Sequence, residues 1–231
     1  MQFKPISCPK CGSLAIKKNG RTANQKQRYR CKWCWRQFIT DYSYQGCKPE
    51  VRRQIVPMTM NGAGIRDISR VLNVSLHTVL KTIQQQAAQV SEPLPAALVT
   101  EVQMDEFWSF VGKKANQRWL WYGFDRDRKK IIAYQAGRRT DENCEKLMKK
   151  LAGCEVIAYC TDEWESYKKF IPETHHWISK KLTQAIERQN LNFRTHLKRL
   201  QRKTICFSKS EPMHDAVLQL YIYHSNVKPH L

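Results

Sequence analysis

Two C-x-x-C pairs near the amino terminus constrain the fold of this chain more than any other feature. Cys8 and Cys11 form the first pair, Cys31 and Cys34 form the second, and 19 residues separate them. This arrangement matches four-cysteine zinc sites, in which about 15–20 residues lie between the pairs. Four thiolates leave no open coordination position, so we predict a structural Zn²⁺ ion and a zinc ribbon over residues 1–46. Two disulfides or a chance clustering of cysteines are the alternatives.

A strong excess of basic residues indicates a polyanionic partner. The sequence contains 40 Lys and Arg against 20 Asp and Glu, a formal net charge of +20. Hydrophobic residues make up 42% of the chain, enough for a folded core. We therefore predict a folded nucleic-acid-binding protein. Eight cations lie between or just after the cysteine pairs, where a solvated surface is the alternative to phosphate contact: Lys17, Lys18, Arg21, Lys26, Arg28, Arg30, Lys32 and Arg36. Arg28 and Arg30 are our candidates for DNA binding.

No apolar stretch of this sequence has the length that a signal peptide or a membrane helix needs. The expectation is a soluble, intracellular protein with no membrane partner. The five cysteines outside the two pairs show no paired spacing. We expect them to be core or surface thiols.

Helical periodicity follows the cysteine-rich segment, over residues 47–90. Apolar residues recur every three to four positions, with a break at Asn73-Val74-Ser75. Ser75 is a suitable N-cap, so the pattern predicts a helix-turn-helix whose second helix enters the major groove of DNA. Ser75, His77, Thr78 and Lys81 are the polar residues expected to face the bases. A generic three-helix bundle is the alternative.

Alternating strands and helices are predicted for the rest of the chain. Pro93 and Pro95 interrupt the helical period, so residues 91–100 are predicted to be a linker and 101–231 a second domain. Strands are expected over 101–111, 118–124, 130–136 and 156–160, and helices over 140–151, 165–170 and 183–203. The order β-β-β-α-β-α, with a strongly basic final helix, predicts an α/β layer fold with a mixed sheet.

Three carboxylates are placed where such a sheet can bring them together. Asp105 lies in the first of these strands, Asp162 follows the fourth, and Glu187 lies in the long helix. Oxygen ligands on rigid elements can hold two Mg²⁺ ions about 3.5–4 Å apart for cleavage of a phosphodiester. Neighbours in a strand point to opposite faces, which favours Asp105 over Glu106. The choice between Asp162 and Glu163 stays open, and surface carboxylates without a role are the general alternative.

Several motifs together resemble the transposases of the insertion-sequence-one family. They are Met104-Asp105-Glu106-x-Trp108, Thr161-Asp162-x-Trp164, the run from Ile178 through Glu187 to Asn192, and Phe207-Ser208-Lys209-Ser210. The cysteine-rich and helical segments match the family's InsA part, and the residues from about 100 onward match its InsB part. The resemblance implies an RNase H-like DDE recombinase that binds the terminal inverted repeats of its own element, nicks the ends and joins them to target DNA.

The resemblance also implies roles for individual residues. Asp105, Asp162 and Glu187 become the triad that binds catalytic Mg²⁺ or Mn²⁺, and Arg194 a basic residue that contacts DNA nearby. Glu163 stands where we expect a small residue, which adds a charge beside the metals. Arg188 and Lys198 are further DNA-binding candidates, in a cationic stripe that continues to Arg199 and Arg202. Double-stranded DNA is the expected partner of a homodimer or higher homo-oligomer, in the cytoplasm and associated with the nucleoid.

Two questions stay open at this point. Trp119 and Trp121 fit a core role, whereas Trp108 and Trp164, each close to a triad aspartate, fit either the core or stacking on an unpaired base. A non-catalytic repressor of the same element is the main functional alternative, and a nuclease that hydrolyses without joining is a weaker one. Intact Asp105, Asp162 and Glu187 favour the transposase.

Overall fold

The structure, a computed structural model, describes residues 5–227. The chain divides into two compact units, of which the first ends at Val51 and the second begins at Arg52. The first unit contains a small antiparallel sheet, β1 (Ile16–Arg21), β2 (Gln27–Cys31) and β3 (Gln37–Ile39), in the order β1-β2-β3. Its buried cluster consists of Cys8, Cys31 and Phe38. So small a core needs another source of stability.

Three helices follow: α1 (Pro49–Met60), α2 (Ile65–Leu72) and α3 (Leu76–Ala87). Asn73 ends α2 in the left-handed conformation, with φ of 50°. The Oγ atom of Ser75 then accepts a hydrogen bond of 3.1 Å from the backbone N–H of Thr78 and begins α3. The predicted break at Asn73-Val74-Ser75 and the N-cap are thus confirmed. The helix α3 packs on the last helix of the chain, where Gln219 donates to the carbonyl of Val90.

A five-stranded mixed sheet forms the centre of the second unit. Its strands are β4 (Leu98–Phe110), β5 (Gln117–Asp125), β6 (Lys130–Gly137), β7 (Glu155–Thr161) and β8 (His176–Ile178), and its helices are α4 (Asp141–Leu151), α5 (Glu165–Phe170), α6 (Gln184–His196) and α7 (Glu211–Val227). The strand order is β6-β5-β4-β7-β8. The pairs β4–β5 and β5–β6 are antiparallel, whereas β4–β7 and β7–β8 are parallel. The predicted mixed sheet and its first six elements are confirmed.

Both faces of the sheet are covered by helices. On one face α4 and α5 enclose a cluster that includes Met104, Trp121, Leu147 and Tyr167. On the other face Phe193 of α6 packs against Phe107 of β4, with the ring centroids 5.7 Å apart. The strand β4 lies at the centre, so its alternate residues face these two layers.

Four features differ from the prediction. The strand β4 begins at Leu98, three residues early, because Leu98 pairs with Glu155 of β7. The three-residue strand β8 and the helix α7 were not predicted. The basic helix expected over 183–203 is therefore not the final one, because α7 follows it and contains no Lys or Arg. The helix predicted over 183–203 ends at His196 because Leu197 is extended and buried and Leu200 is buried as well. Burial of these two leucines outweighs local helix propensity.

None of the helices in the described part of the chain is long and apolar enough to cross a membrane.

Candidate functional site

The four predicted zinc ligands converge at one point. The Sγ atoms of Cys8, Cys11, Cys31 and Cys34 all lie within 4.8 Å of one another. The Sγ atoms of Cys8 and Cys34 are 3.5 Å apart, and those of Cys11 and Cys31 are 3.6 Å apart. A tetrahedral ion with Zn–S bonds of about 2.3 Å has sulfurs about 3.8 Å apart, so the cluster fits Zn²⁺. All four thiols are free, which excludes the disulfide alternative in this structure.

Backbone N–H groups favour a thiolate at this cluster. The N–H groups of Cys34 and Trp33 both point at the Sγ atom of Cys31, at 3.5 and 3.4 Å. These contacts, with that of Cys34 the larger, lower the pKa of Cys31. The thiolate is the form that binds a metal.

In the second unit, Asp105 lies on the face of β4 that α6 covers. Its Oδ2 atom accepts a hydrogen bond of 2.6 Å from Asn190 of α6, and its Oδ1 atom accepts one of 2.8 Å from the N–H of Glu106. Two residues earlier on the same face, the Oε1 atom of Gln103 accepts the backbone N–H of Ile186 at 2.9 Å. The start of α6 is therefore fixed against the strand that carries Asp105.

The parallel pairing of β4 and β7 brings Asp162 to Asp105. The last aligned pair is Gln103 with Cys160. Two residues further along each strand direction lie Asp105, still within β4, and Asp162, just after β7, so the two residues are neighbours where the pairing ends. The Oδ1 atom of Asp162 is held at 3.1 Å by the N–H of Trp164. Glu163 is exposed, and its side chain accepts no such bond among the contacts of the described residues.

Glu187 lies in the first turn of α6 and is exposed. It precedes Asn190 by three residues, and residues at this spacing are neighbours on one helix face. Because Asn190 contacts Asp105 directly, Glu187 lies one helical turn from that contact. The structure thus places the three predicted carboxylates on β4, after β7 and on α6, around one end of the central strand pair.

The chemistry of these three carboxylates suits divalent metal ions, and their oxygens are not gathered into one closed site. Within residues 5–227, the four cysteines are the only group of three or more potential ligands whose atoms all lie within 4.8 Å of one another. Two ions about 4 Å apart, each about 2.1 Å from its oxygens, spread their ligands over about 8 Å. Carboxylate oxygens are also the ligands that Mg²⁺ prefers. The donor set therefore fits the predicted metal.

Burial and like charge both act on Asp105. Burial raises the pKa of Asp105 to about 6, and the neighbouring charges of Glu106 and Asp162 contribute to the increase. A bound cation would relieve this repulsion. Perturbed carboxylates of this kind are typical of functional sites.

Glu106 faces the opposite layer, as predicted from strand alternation. It is buried, forms an ion pair with Arg139, and accepts a hydrogen bond of 2.9 Å from the hydroxyl of Tyr167. The guanidinium of Arg139 lies over the ring of Trp164 at 4.5 Å and that of Trp119 at 5.1 Å. Glu106 is thus a structural neighbour of the site and not a competitor for the metal.

Of four tryptophans in the second unit, Trp119, Trp121 and Trp164 pack in or against the core cluster, and Trp108 does not. Trp121 is fully buried, and Trp164 packs on it with a centroid distance of 4.7 Å. Trp119 is packed against the same core cluster. The core interpretation of these three residues is correct. Trp108 differs, because it does not belong to that cluster and lines a cavity with several cations.

The predicted DNA-binding residues lie on β2, on α3, and on or just after α6. Ser75, His77 and Lys81 are exposed at the start and along α3, and Thr78 is partly buried at the N-cap. Arg28 and Arg30 alternate in β2 with Tyr29, which stacks on Phe38, so both arginines lie on the outer face of the small sheet. Arg188 is exposed on α6, Arg194 stacks on Phe107 at 4.4 Å, and Lys198 begins a short 3₁₀ helix.

The cationic stripe expected along one long helix is not present. Because α6 ends at His196, Lys198, Arg199 and Arg202 do not continue its surface. The side chain of Arg199 turns inward and donates to the Oγ atom of Ser208 and the carbonyl of Met213. Arg202 remains exposed.

Sequence reasoning gave no role to two residues at this site. Asn190 lies in the motif from Ile178 to Asn192, but the pattern indicates no role for it. Tyr122 has the sequence context of an ordinary strand residue. In the structure the hydroxyl of Tyr122 donates to Asn190 at 2.8 Å, which orients the amide toward Asp105. Strand β5 and helix α6 are distant in sequence, so only the fold reveals this contact.

Three family models match successive parts of the chain. The model of the IS1 transposase matches residues 97–228, that of the InsA C-terminal domain matches residues 42–86, and that of the InsA N-terminal domain, a zinc ribbon, matches residues 4–35. The matched segments coincide with the mixed sheet and its helices, with α1–α3 and with the cysteine cluster. The zinc ribbon match and the four-thiol cluster together support a structural zinc ion.

Curated relatives match the second part of the chain. The insertion element iso-IS1n protein InsB of Shigella dysenteriae is 45% identical over 126 residues, which are 54% of this chain and 95% of the relative. The insertion element IS1 protein InsB of Shigella flexneri is 44% identical over 125 residues, with the same coverage. The insertion element IS1 9 protein InsB of Escherichia coli K12 is 40% identical over 145 residues, 63% of this chain and 87% of the relative.

Proposed function

Because the chain belongs to the IS1 transposase family and is a DNA transposase, we propose that Asp105, Asp162 and Glu187 form its DDE triad on an RNase H-like domain. The observation that carries this assignment is the parallel register of β4 and β7, which brings Asp105 beside Asp162 where the pairing ends. The sheet order and the position of α6 against β4 support the RNase H-like assignment. The substrate is the phosphodiester at each end of the element, and the products are the cut end and the end joined to target DNA.

The three carboxylates would hold two Mg²⁺ or Mn²⁺ ions, which stabilise the negative charge that develops on the phosphodiester oxygens. Asp105 is oriented by Asn190 and by the N–H of Glu106, and Asp162 by the N–H of Trp164. These hydrogen-bond donors hold the carboxylates in their ligand positions before the reaction begins, so no free energy is spent on ordering them during it. Arg194, one turn beyond Asn190 on α6, contacts the DNA backbone near the cut.

The amino-terminal modules find the element ends. The exposed polar side chains of α3, led by His77 and Lys81, read the terminal inverted repeat in the major groove. Arg28 and Arg30 of the zinc ribbon contact phosphates, as does the exposed Arg188. In this assignment residues 1–46 form the ribbon, 47–90 the helix-turn-helix, 91–100 the linker, whose last three residues already belong to β4, and 101–231 the catalytic domain; residues 1–4 and 228–231 lie outside the described part of the chain. Since two ends must be processed together, the active form contains at least two protomers, and it acts on DNA in the nucleoid.

The test is a cleavage and joining assay with purified protein, Mg²⁺ or Mn²⁺, and DNA fragments that carry the repeats flanking its gene. We expect the wild type to nick the ends and to join them to a target duplex. Glu187→Gln and Asp162→Asn should bind the same fragments and lose both reactions by at least about 10³-fold, because they remove a metal ligand. The matched control is Glu163→Gln, which changes the exposed neighbour of Asp162.

The outcomes are distinct. Loss of cleavage in Glu163→Gln but not in Asp162→Asn would move the second ligand to Glu163. Cleavage without joining by the wild type would indicate a nuclease. Tight binding of the repeats without cleavage in any metal would indicate a repressor.

A further inference from the structure

A basic cavity opens beside the candidate active site. It has a volume of about 350 Å³ and lies between the end of β4, the end of α6 and the segment 199–204. This volume is within the range of about 300–1,000 Å³ found for small-molecule sites. Five cations line it: Lys114, Arg194, Arg199, Arg202 and Lys203. Among its described lining residues none is acidic.

The cations of this cavity have no anionic partner in the described part of the chain. None of the ion pairs within residues 5–227 involves Arg194, Arg199 or Arg202. Burial lowers the pKa of Arg199 to about 10, and burial followed by the charge of Arg202 lowers that of Arg194. A buried cation without a counter-ion is costly and is usually paired when its ligand is bound. Arg199 and Arg194 donate hydrogen bonds to Ser208, Met213 and Leu200, which are uncharged, so an anion from outside the chain would supply the counter-charge that these partners lack.

A chain of hydrogen bonds fixes Arg199 at the cavity. Arg199 donates to the Oγ atom of Ser208, which lies 2.9 Å from Nδ1 of His214, and Nε2 of His214 lies 3.1 Å from the Oγ atom of Ser109. Ser109 in turn donates to the carbonyl of Arg118. Each hydroxyl can accept one bond and donate the next only if His214 is neutral and carries its proton on Nε2. The network builds Arg199 into the site rather than leaving it as a mobile surface charge.

One wall of the cavity is aromatic. Trp108 and Phe110 both line it, with their ring centroids 5.7 Å apart. The pairing of β4 with β7 ends at Gln103, and beyond it Phe207 packs on Phe110 with the ring centroids 5.3 Å apart. A phosphate alone needs no aromatic wall, and a duplex is too wide for a cavity of this size. A single nucleotide, with a base to stack and a phosphate to pair, matches both walls.

The cavity also lies one helical turn from Asn190, which contacts the proposed metal ligand Asp105. Arg194 lines the cavity and lies four residues after Asn190, which contacts Asp105. Arg194 in turn stacks on Phe107, two residues after Asp105. A nucleotide in the cavity would thus be adjacent to the phosphodiester at the triad.

We propose that this cavity is a nucleotide pocket, which stacks the base of one nucleotide extruded from the duplex beside the cut on Trp108 and pairs its phosphate with Arg199 and Arg202. The assignment rests on the proposed function, because it names a contact with the same DNA end. It gives a role to Trp108, which lines the cavity, whereas Trp121 belongs to the core cluster and Trp119 and Trp164 pack against it.

A thermodynamic cycle between Trp108 and the DNA tests the pocket without any cleavage. In the Glu187→Gln background and without metal, the affinities of the full chain and of its Trp108→Ala variant are measured for the intact terminal repeat. The same measurements are then made on fragments in which one position at a time is abasic. We expect Trp108→Ala to weaken binding of the intact repeat about 5- to 150-fold, as for loss of one stacked base. The loss should vanish at one abasic position, the extruded one.

Three further variants keep the result interpretable. Trp108→Phe retains an aromatic ring and should retain most of the coupling to that one position. Arg202→Gln changes an exposed residue and should reduce the slope of log affinity against log salt by about 1. Trp177→Ala removes another exposed tryptophan, on β8 and outside the cavity, and should leave the affinity unchanged.

The nucleotide pocket would be overturned if the effect of Trp108→Ala on affinity were the same at every abasic position as on the intact repeat. This holds even if the wild type cuts and joins DNA normally. A salt-slope change in Arg202→Gln without any coupling at Trp108 would also overturn it and leave a phosphate contact only. Coupling at one position in a protein that never cleaves would instead support the pocket and reject the triad.

Discussion

The two predicted metal sites of this protein are built in opposite ways. In the first unit four cysteines bring their sulfurs within 4.8 Å of one another, and two of these cysteines make up most of the buried cluster. In the second unit three carboxylates lie around one end of β4 and β7, where a large apolar cluster already holds the sheet together. A metal at the first site completes a fold that has little core. A metal at the second site is added to a fold that is complete without it.

The difference teaches what each site can tolerate. The ribbon should depend on its metal for structure, because binding free energy at a structural zinc is folding free energy. The carboxylate site should depend on its metal for chemistry alone, so its ligands can be replaced without unfolding the sheet. The buried polar contacts around the carboxylates, in contrast, should contribute both to the stability of the sheet and to its chemistry.

The largest expected effect is on the ribbon. Cys31→Ser removes a buried ligand, so we expect loss of bound zinc and complete loss of protection of the ribbon against trypsin. Zinc content, limited proteolysis and thermal unfolding measure the result. The unfolding temperature of the second unit should stay unchanged, because its core contains no residue of the ribbon.

Cys47→Ser is the matched control, since Cys47 is exposed and lies outside the cluster. It should keep both zinc and protease resistance. A ribbon that stays protected in the Cys31→Ser variant would remove the contrast between the two sites.

The next effect concerns the buried ion pair behind Asp105. Glu106→Gln leaves Arg139 without its carboxylate, and we expect it to lower the free energy of unfolding by about 2–3 kcal/mol. This is less than the about 3–5 kcal/mol of a fully buried pair, because the side chain of Arg139 is 39% exposed. Chemical denaturation of the second unit measures the loss.

Glu142→Gln breaks an exposed pair with Lys146 on α4 and should change stability by no more than about 0.5 kcal/mol. Equal effects of the two substitutions would show that the Glu106 pair is no more than a surface contact.

A smaller effect is expected at Asn190, the hydrogen-bond partner of the proposed metal ligand Asp105. Asn190→Ala frees the Oδ2 atom of Asp105 from its hydrogen bond and should weaken Mn²⁺ binding about 10- to 100-fold, as for other partners of metal ligands. Titration followed by electron paramagnetic resonance measures this affinity directly, without DNA or turnover. Asn192→Ala, on the same helix and bonded only to Gln189 among its described contacts, should bind Mn²⁺ as the wild type does. Unchanged affinity in Asn190→Ala would deny Asn190 a positioning role.

The same contrast explains what could be predicted from the sequence. The cysteine cluster and the cap at Ser75 follow from spacing within short segments, so local patterns were sufficient for both. Asp105 and the opposite direction of Glu106 follow from strand alternation, and the mixed sheet confirms the predicted order of elements.

Features that depend on distant contacts were not predictable in this way. The helix α6 ends early because Leu197 and Leu200 are buried, and propensity alone favours its continuation. Burial then turns Arg199 into the cavity, although its sequence context is that of a surface cation. The helix α7 was missed because its apolar residues are buried on most sides and show little helical contrast.

The buried network that α7 supplies gives the last prediction, a dependence of stability on pH. Burial, followed by the charges of Arg199 and Arg118, lowers the pKa of His214 to about 3. Its ordinary value is 6.5, so between these two values the unfolded chain binds a proton that the folded chain excludes. The free energy of unfolding should therefore fall as the pH falls below 6.5, by at most about 1.4 kcal/mol per pH unit from this group.

Chemical denaturation of the second unit at several values between about pH 7.5 and pH 5 measures this effect as the difference between the wild type and His214→Gln, because Asp105, whose pKa is raised to about 6, titrates in the same range in both proteins. His214→Gln keeps groups that can bond to Ser109 and Ser208 but cannot take up the proton, so its stability should be lower at pH 7.5 and should depend less on pH. Parallel curves for the two proteins would mean that the network tolerates a charged histidine. In that case the directed hydrogen bonds that hold Arg199 at the cavity would have to run in another order, and the second unit would be less dependent on its buried polar contacts than the comparison with the zinc ribbon requires.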